Sequence, residues 1–217
     1  MLKIGHRGAR FNEIENTLES FKKAIEIGVD AIELDVRKSK DERLVVIHDD
    51  NLKRVFGKDY FVKDLTLKEL KDLTDNKILE LKEALEFIDK KVKKILIELK
   101  EVGYEKRIID LVKKLGLKNR VILISFHKEA LKNIRKADKN IETGYIYVKD
   151  KNPIKTALEL NCQYLLPLYR FTHRKNIEDA HKNNLKVIVW TINNKDEAKE
   201  YKEKGVDGIA SDKPDIL

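Results

Sequence analysis

Glu33 and Asp35 stand two residues apart in an apolar run, and Glu98 and Lys100 repeat that spacing further on. Side chains two apart on a strand share a face, so each pair points one way. Three carboxylates converging on one point repel each other and keep their protons unless a cation neutralises them. All-oxygen ligands suit a hard divalent ion, Mg²⁺ or Ca²⁺, better than zinc. His6 and His48 offer the other half of a chemistry. Imidazole titrates near neutral pH, so a pair bracketing an anion can give and take protons. Taken singly, a strand-end Glu is more often a rim residue or an ion-pair partner, and a lone His more often structural. Gathered at one place, the set reads as a proton-transfer site acting on an anionic substrate.

What must gather them is a run of strands. Short apolar stretches at 2–4, 31–36, 95–99, 121–126, 143–147, 164–168, 187–192 and 208–210 alternate with amphipathic ones. The amphipathic segments, at 18–27, 81–90, 105–115, 129–136, 154–160, 176–183 and 196–203, show apolar residues at helical spacing. Such alternation is the βαβα signature of a parallel sheet, and eight strands predict a (β/α)8 TIM barrel. Parallel barrels carry working residues at the carboxyl ends of strands, where His6, Glu33, Asp35, Glu98 and Lys100 fall.

The stretch 44–47 breaks the pattern, because it follows the second strand too closely for a crossover. A hairpin of 32–37 with 44–49 is expected instead. A turn centred between Asp41 and Glu42 places His48 opposite Asp35. Residues 50–79 then form a short insertion, a lid or rim over one end, and the chain stops soon after Pro214, leaving the last helix a stub. One domain, 1–217, is predicted.

Composition narrows the partners. The formal charge is +8, from 46 basic and 38 acidic side chains, and charged residues make up 39% of the chain. Such a balance favours anionic partners. The lysines are spread along helices without the compact basic run or aromatic interleaving of a nucleic-acid groove, so no nucleic-acid partner is expected. No apolar run reaches the roughly 20 residues needed to cross a bilayer. With motifs beginning at His6, no signal peptide is expected, and a soluble cytoplasmic protein is predicted. Cys162 is the only cysteine and reads as a buried small hydrophobe. His127, His173 and His181 lie on or near helices and are expected at the surface.

The ordered motifs carry a resemblance. His6-Arg7-Gly8-Ala9, Glu15-Asn16-Thr17, Glu33-Leu34-Asp35-Val36 and His48-Asp49 resemble the signature of glycerophosphodiester phosphodiesterases. Glu98-Leu99-Lys100, Ser125-Phe126, Trp190-Thr191-Ile192-Asn193 and Gly205-Val206-Asp207-Gly208-Ile209 continue it to the C-terminus. The resemblance implies His6 and His48 as the general acid/base pair and Glu33, Asp35 and Glu98 as ligands of one divalent cation. It also implies Arg7 on the phosphate, with Lys100 beside it or beside the glycerol. A glycerol hydroxyl would attack phosphorus, and water would open the resulting cyclic ester to glycerol 3-phosphate.

Phe126 and Trp190 are read either as an apolar wall for glycerol or head group, or as barrel core. Asp212 matches a position of the family's pattern, although capping the final stub is its expected job, and Asn193 is left open between a structural and a site role. Ile14 departs from the pattern, which commonly has Pro there, and so removes a restraint from the first loop. Two other functions compete with this one: a lysophospholipase D-like or other phosphodiesterase, and a catalytically silent barrel binding phosphorylated ligands. Mostly polar mouth loops argue against the first, and the intact site residues argue against the second.

Overall fold

A computed structural model describes residues 1–217. β1 (Leu2–His6) leads through α1 (Leu18–Ile27) to β2 (Ala31–Lys38). An antiparallel arm follows, made of β3 (Leu44–Val46), the short helices α2 (Lys53–Phe56) and α3 (Leu67–Leu73), and β4 (Leu79–Glu80). Alternation resumes with α4 (Leu81–Ile88), β5 (Lys94–Leu99), α5 (Glu105–Lys114), β6 (Val121–Ser125) and α6 (Lys128–Ala137). Next come β7 (Glu142–Tyr147), α7 (Pro153–Glu159), β8 (Tyr164–Pro167) and α8 (Arg174–Lys182). β9 (Lys186–Val189), α9 (Lys195–Glu203) and β10 (Gly208–Ser211) complete the circuit, and a single 3₁₀ turn, Pro214–Ile216, stands where an eighth helix would be. β10 and β2 both pair with β1 in parallel, so the ring closes as a (β/α)8 barrel. β3 and β4 hang on the end of β2, outside the ring.

Strand alternation sorts the side chains. Ile32, Leu34 and Val36 of β2, with Ile95, Ile97 and Leu99 of β5, pack outward under the helices. Ala31 and Leu96 point inward and join Ile4, Ile122, Ile188 and Ala210 in a plug across the barrel. Each buried aliphatic side chain contributes about 1.5–3 kcal/mol, so slipping a strand by one residue is heavily disfavoured. That parity lifts Glu33 and Asp35 above Ala31, Glu98 and Lys100 above Leu96, and His6 above Ile4, toward the carboxyl end.

The hairpin departs from its expected register by one residue. Val36 pairs with Val46 and Lys38 with Leu44, and the Ile47 N–H donates to the Asp35 carbonyl at 3.0 Å. Ile47, not His48, therefore lies opposite Asp35. The tight turn explains the shift: Ser39 donates to Asp41 at 2.6 Å, and Glu42 takes a left-handed φ of 63°. His48 lies beyond the ladder, where the chain bends back.

The insertion is more structured than its polar sequence suggests. Val45 and Ile47 pack beneath Leu52, Val62, Leu70 and Ile78 in a small core of their own. Thr66 and Glu69 form a reciprocal capping box that starts α3. Strands predicted to run to 126, 168 and 192 stop at Ser125, Pro167 and Val189, where the chain turns out into the mouth loops. Cys162 is buried, and His127, His173 and His181 are exposed. No helix is long and apolar enough to cross a membrane.

Candidate active site

The loop from β1 to α1 lays the first stones. Arg7 and Asn16 both sit in the left-handed region, with φ of 56° and 60°. Non-glycine residues are held there only when their surroundings overdetermine it. The Arg7 N–H donates to Glu33 at 2.9 Å, and the Asn16 amide donates to Asp35 at 2.9 Å. Gly8 is required by packing: a Cβ there would fall 2.7 Å from the Ser20 carbonyl carbon on α1. Ile14, in place of proline, does not free this loop. Thr17 Oγ1 donates to the Ile14 carbonyl at 2.7 Å, and the Asn16 N–H donates to the Arg7 carbonyl at 3.0 Å.

Glu33, Asp35 and Glu98 converge. All three are buried, and one oxygen from each lies within 4.8 Å of the others. Burial, with Asp35 and Glu98 close by, raises the Glu33 pKa well above the carboxylate range. Burial and Asp35 push Glu98 up to about 7. Asp35 is lowered: burial opposes its ionisation, but Arg7, Lys100 and His48 outweigh it. Glu33 Oε1 and Asp35 Oδ1 are buried without any hydrogen-bond partner. Orphaned oxygens of this kind are costly, and the donor set fits a hard divalent cation. Lys100 Nζ lies 2.6 Å from Glu98 and 3.5 Å from Asp35, so it is held against the acidic cluster.

Each histidine has a carboxylate behind it. His6 Nδ1 lies 2.6 Å from Asp212, and His48 Nδ1 lies 2.6 Å from Asp49. Contacts through Nδ1 leave Nε2 of each ring for other work; that of His6 is 3.9 Å from Glu33. Burial keeps His6 below its ordinary pKa against the pull of Asp212. Burial likewise lowers His48 against the pull of Asp35.

Asp212 is thus not the helix cap expected from the sequence. Lys213 takes the N-cap position of the last turn, and Asp212 turns inward because Asn193 holds it. Asn193 donates to its carboxylate at 2.8 Å and accepts from its N–H at 2.9 Å. The pairing joins residues 206 apart, which no local pattern announces.

Glu15 was missed as well, although its motif was legible. It accepts from Arg7 at 2.9 Å and twice from Arg54, at 2.6 and 2.9 Å, and Arg10 lies 3.2 Å away. Arg54 also donates to Asp49 at 2.7 Å. Although partial burial opposes it, Arg54 and His48 hold Asp49 down at about 2.

His6, Arg7, Glu33, His48, Glu98 and Lys100 all line one cavity of about 330 Å³ at the carboxyl end. Asp35 lies just behind, fully buried. Phe126 and Trp190 form one wall, edge to face with centroids 5.6 Å apart. Trp190 Nε1 donates to the Leu166 carbonyl at 2.7 Å, fixing its ring. Phe126 remains 38% exposed, so it is no core residue.

The sequence model of the glycerophosphoryl diester phosphodiesterase family matches residues 6–216, and the chain belongs to that family. It is similar to a glycerophosphodiester phosphodiesterase of Caldanaerobacter subterraneus subsp. tengcongensis, 35% identical over 232 residues, covering 100% of this chain and 96% of the relative. The crystal structure of a glycerophosphodiester phosphodiesterase from Thermotoga maritima matches with a TM-score of 0.85 at 32% identity, covering 100% and 96%. An Oleispira antarctica phosphodiesterase, solved with the product sn-glycerol-3-phosphate, matches with a TM-score of 0.89 at 27% identity, covering 98% and 93%.

Proposed function

We propose that the chain, acting as one 217-residue domain, hydrolyses glycerophosphodiesters to glycerol 3-phosphate and an alcohol. His6 and His48 are the acid/base pair, and Glu33, Asp35 and Glu98 hold one divalent cation, Mg²⁺ or Ca²⁺. The observation that carries this reading is the pair of orphaned oxygens in a buried acidic cluster facing two carboxylate-backed histidines. Three carboxylates against Arg7 and Lys100 favour one more positive charge in the same space.

A bound dication would neutralise the cluster and polarise a phosphoryl oxygen. Arg7 orients the phosphate: Glu15 steadies its guanidinium from one side, and its buried Nε lies 3.2 Å from Asp35 on the other. One histidine accepts the proton of the glycerol hydroxyl as that oxygen attacks phosphorus. The other gives a proton to the departing alcohol oxygen. The roles then reverse, as water opens the cyclic ester. Lys100 stands beside the phosphate or the glycerol, and Phe126 with Trp190 gives the carbon chain an apolar wall.

A second substrate class, lysophospholipids, is favoured by one observation: the apolar Phe126 face stands open at the mouth. One assay separates the readings, release of glycerol 3-phosphate from glycerophosphocholine and glycerophosphoethanolamine with and without a chelator. Turnover of both, abolished by the chelator, is expected. Chelator-resistant turnover removes the cation from the reaction. Inactivity on both with activity on lysophosphatidylcholine moves the assignment to the second class, and inactivity on all three leaves only a binding role.

A further inference from the structure

Folding leaves one end of this molecule unusually greasy. Apart from Met1, Leu18 and Leu158, every large apolar side chain left exposed sits on the loops or the insertion at the carboxyl end of the barrel. Four of them are phenylalanines, and besides Phe126 of the cavity wall the other three come from three separate segments. Phe11 is 67% exposed, and Phe61 and Phe171 are each 48% exposed. Each carries a lysine ammonium over its ring: Lys213 lies 4.2 Å from the Phe11 centroid, Lys149 4.6 Å from Phe171, and Lys63 5.8 Å from Phe61.

These lysines are also free of carboxylates. None of Lys63, Lys149 and Lys213 lies in an ion pair; Asp64 and Asp215, near two of them in the chain, are unpaired too, whereas three other acids of this end are taken. Asp150 is paired with Lys128, Asp212 with His6, and Asp49 with Arg54. Each exposed ring is thus accompanied by a lysine held in no ion pair, on a chain whose net charge is +8.

We propose that this end of the barrel docks on an anionic lipid surface. Aromatic rings favour the boundary between head groups and acyl chains, and lysine stems can lie along apolar surface while the ammonium stays among the phosphates. The three ring-and-lysine pairs are carried as tips on separate segments of that end. A fluid lipid surface accommodates such tips, whereas a rigid protein partner would need a socket for each. Docking in this sense turns the cavity toward the source of lipid-derived phosphodiesters. It does not depend on which chemistry the cavity performs.

The test is co-sedimentation of the full chain with phosphatidylcholine vesicles, with and without phosphatidylglycerol. Wild type is expected to sediment with the anionic vesicles at low salt and to be released at high salt. Lys63→Gln, Lys149→Gln and Lys213→Gln together should weaken binding about a hundredfold, at roughly fivefold for each lysine near the surface. Phe11→Ser, Phe61→Ser and Phe171→Ser together should abolish it, while Leu158→Ser, away from this end, should not change it. Melting followed by circular dichroism checks that each variant is folded. The proposal is overturned if wild type ignores anionic vesicles at low salt, or if the serine variant binds as wild type does. It is overturned too if Leu158→Ser loses binding equally, or if light scattering shows the three rings joining two copies of the chain instead.

Discussion

Arg54 Nε donates to Asp49 at 2.7 Å, and the other oxygen of that carboxylate lies 2.6 Å from His48. The remaining two nitrogens of Arg54 grip Glu15, which also holds Arg7. One guanidinium in the insertion thus braces both the proposed acid/base histidine and the proposed phosphate anchor. Only a planar fork of donors can do so, since lysine offers a single point of charge.

Arg54→Lys is therefore expected to lower kcat/KM for glycerophosphocholine by about 10²-fold, as misplacement by an ångström can do. Both kcat and KM should change, because His48 and Arg7 lose their support together. Steady-state kinetics decide the matter. A wild-type kcat/KM in Arg54→Lys would show that the brace has no influence on catalysis.

Asp212→Asn separates orientation from capping. Loss of the carboxylate behind His6 should lower kcat by about 10²-fold or more, with the melting temperature little changed. A cap would behave oppositely, costing about 1 kcal/mol of stability and sparing kcat. Kinetics and thermal melting on the same preparation distinguish the two.

Asp150 gives a pH-dependent prediction away from the cavity. Burial opposes its ionisation, yet it accepts from the Asn152 N–H at 2.8 Å, Tyr145 at 3.0 Å, and Lys128 and Thr156 at 3.1 Å. These donors pull it from its ordinary 3.8 down to about 2. A carboxylate depressed in the folded state stabilises above its unfolded pKa, and that contribution fades as pH falls through the folded value. Asp150→Asn should cost about 1 kcal/mol at pH 7, allowing for solvent screening of Lys128. The cost should shrink between pH 3.8 and about 2. Denaturant titrations across that range check it, and a pH-independent cost would assign the effect to packing.

Legibility in the sequence followed the range of the interactions. The barrel was readable because eight apolar runs alternate with amphipathic segments, and the two-residue spacing within β2 and at the end of β5 carried Glu33, Asp35, Glu98 and Lys100 to one mouth. The His48 hairpin was readable as a hairpin but not in its register, since Ser39 and Glu42 tighten the turn by half a step. Asp212 was misread because its partner lies 206 residues away, at the opposite end of the chain. Glu15 and Asp49 stood inside quoted motifs, yet their work depends on Arg54 in a segment that looked merely polar. The hidden core under Val45 and Ile47 keeps that segment in place.

The acidic cluster supports the last prediction. Glu33 Oε1 and Asp35 Oδ1 accept no hydrogen bond, and Glu33 and Glu98 resist ionisation in that setting. Millimolar Mg²⁺ or Ca²⁺ should therefore raise the melting temperature of wild type, because the ion binds the folded cluster and not the unfolded chain. At a hundredfold excess over Kd the gain is about 2.7 kcal/mol, or roughly 5–10 °C for a chain of this size. Glu33→Gln keeps the shape but cannot offer the ion a carboxylate, so it should melt no lower than wild type without metal and gain little with it. Differential scanning calorimetry of both proteins, each with chelator and with each ion, measures the comparison. Equal rises in wild type and variant would mean that the ion binds elsewhere, and Glu33 would leave the ligand set.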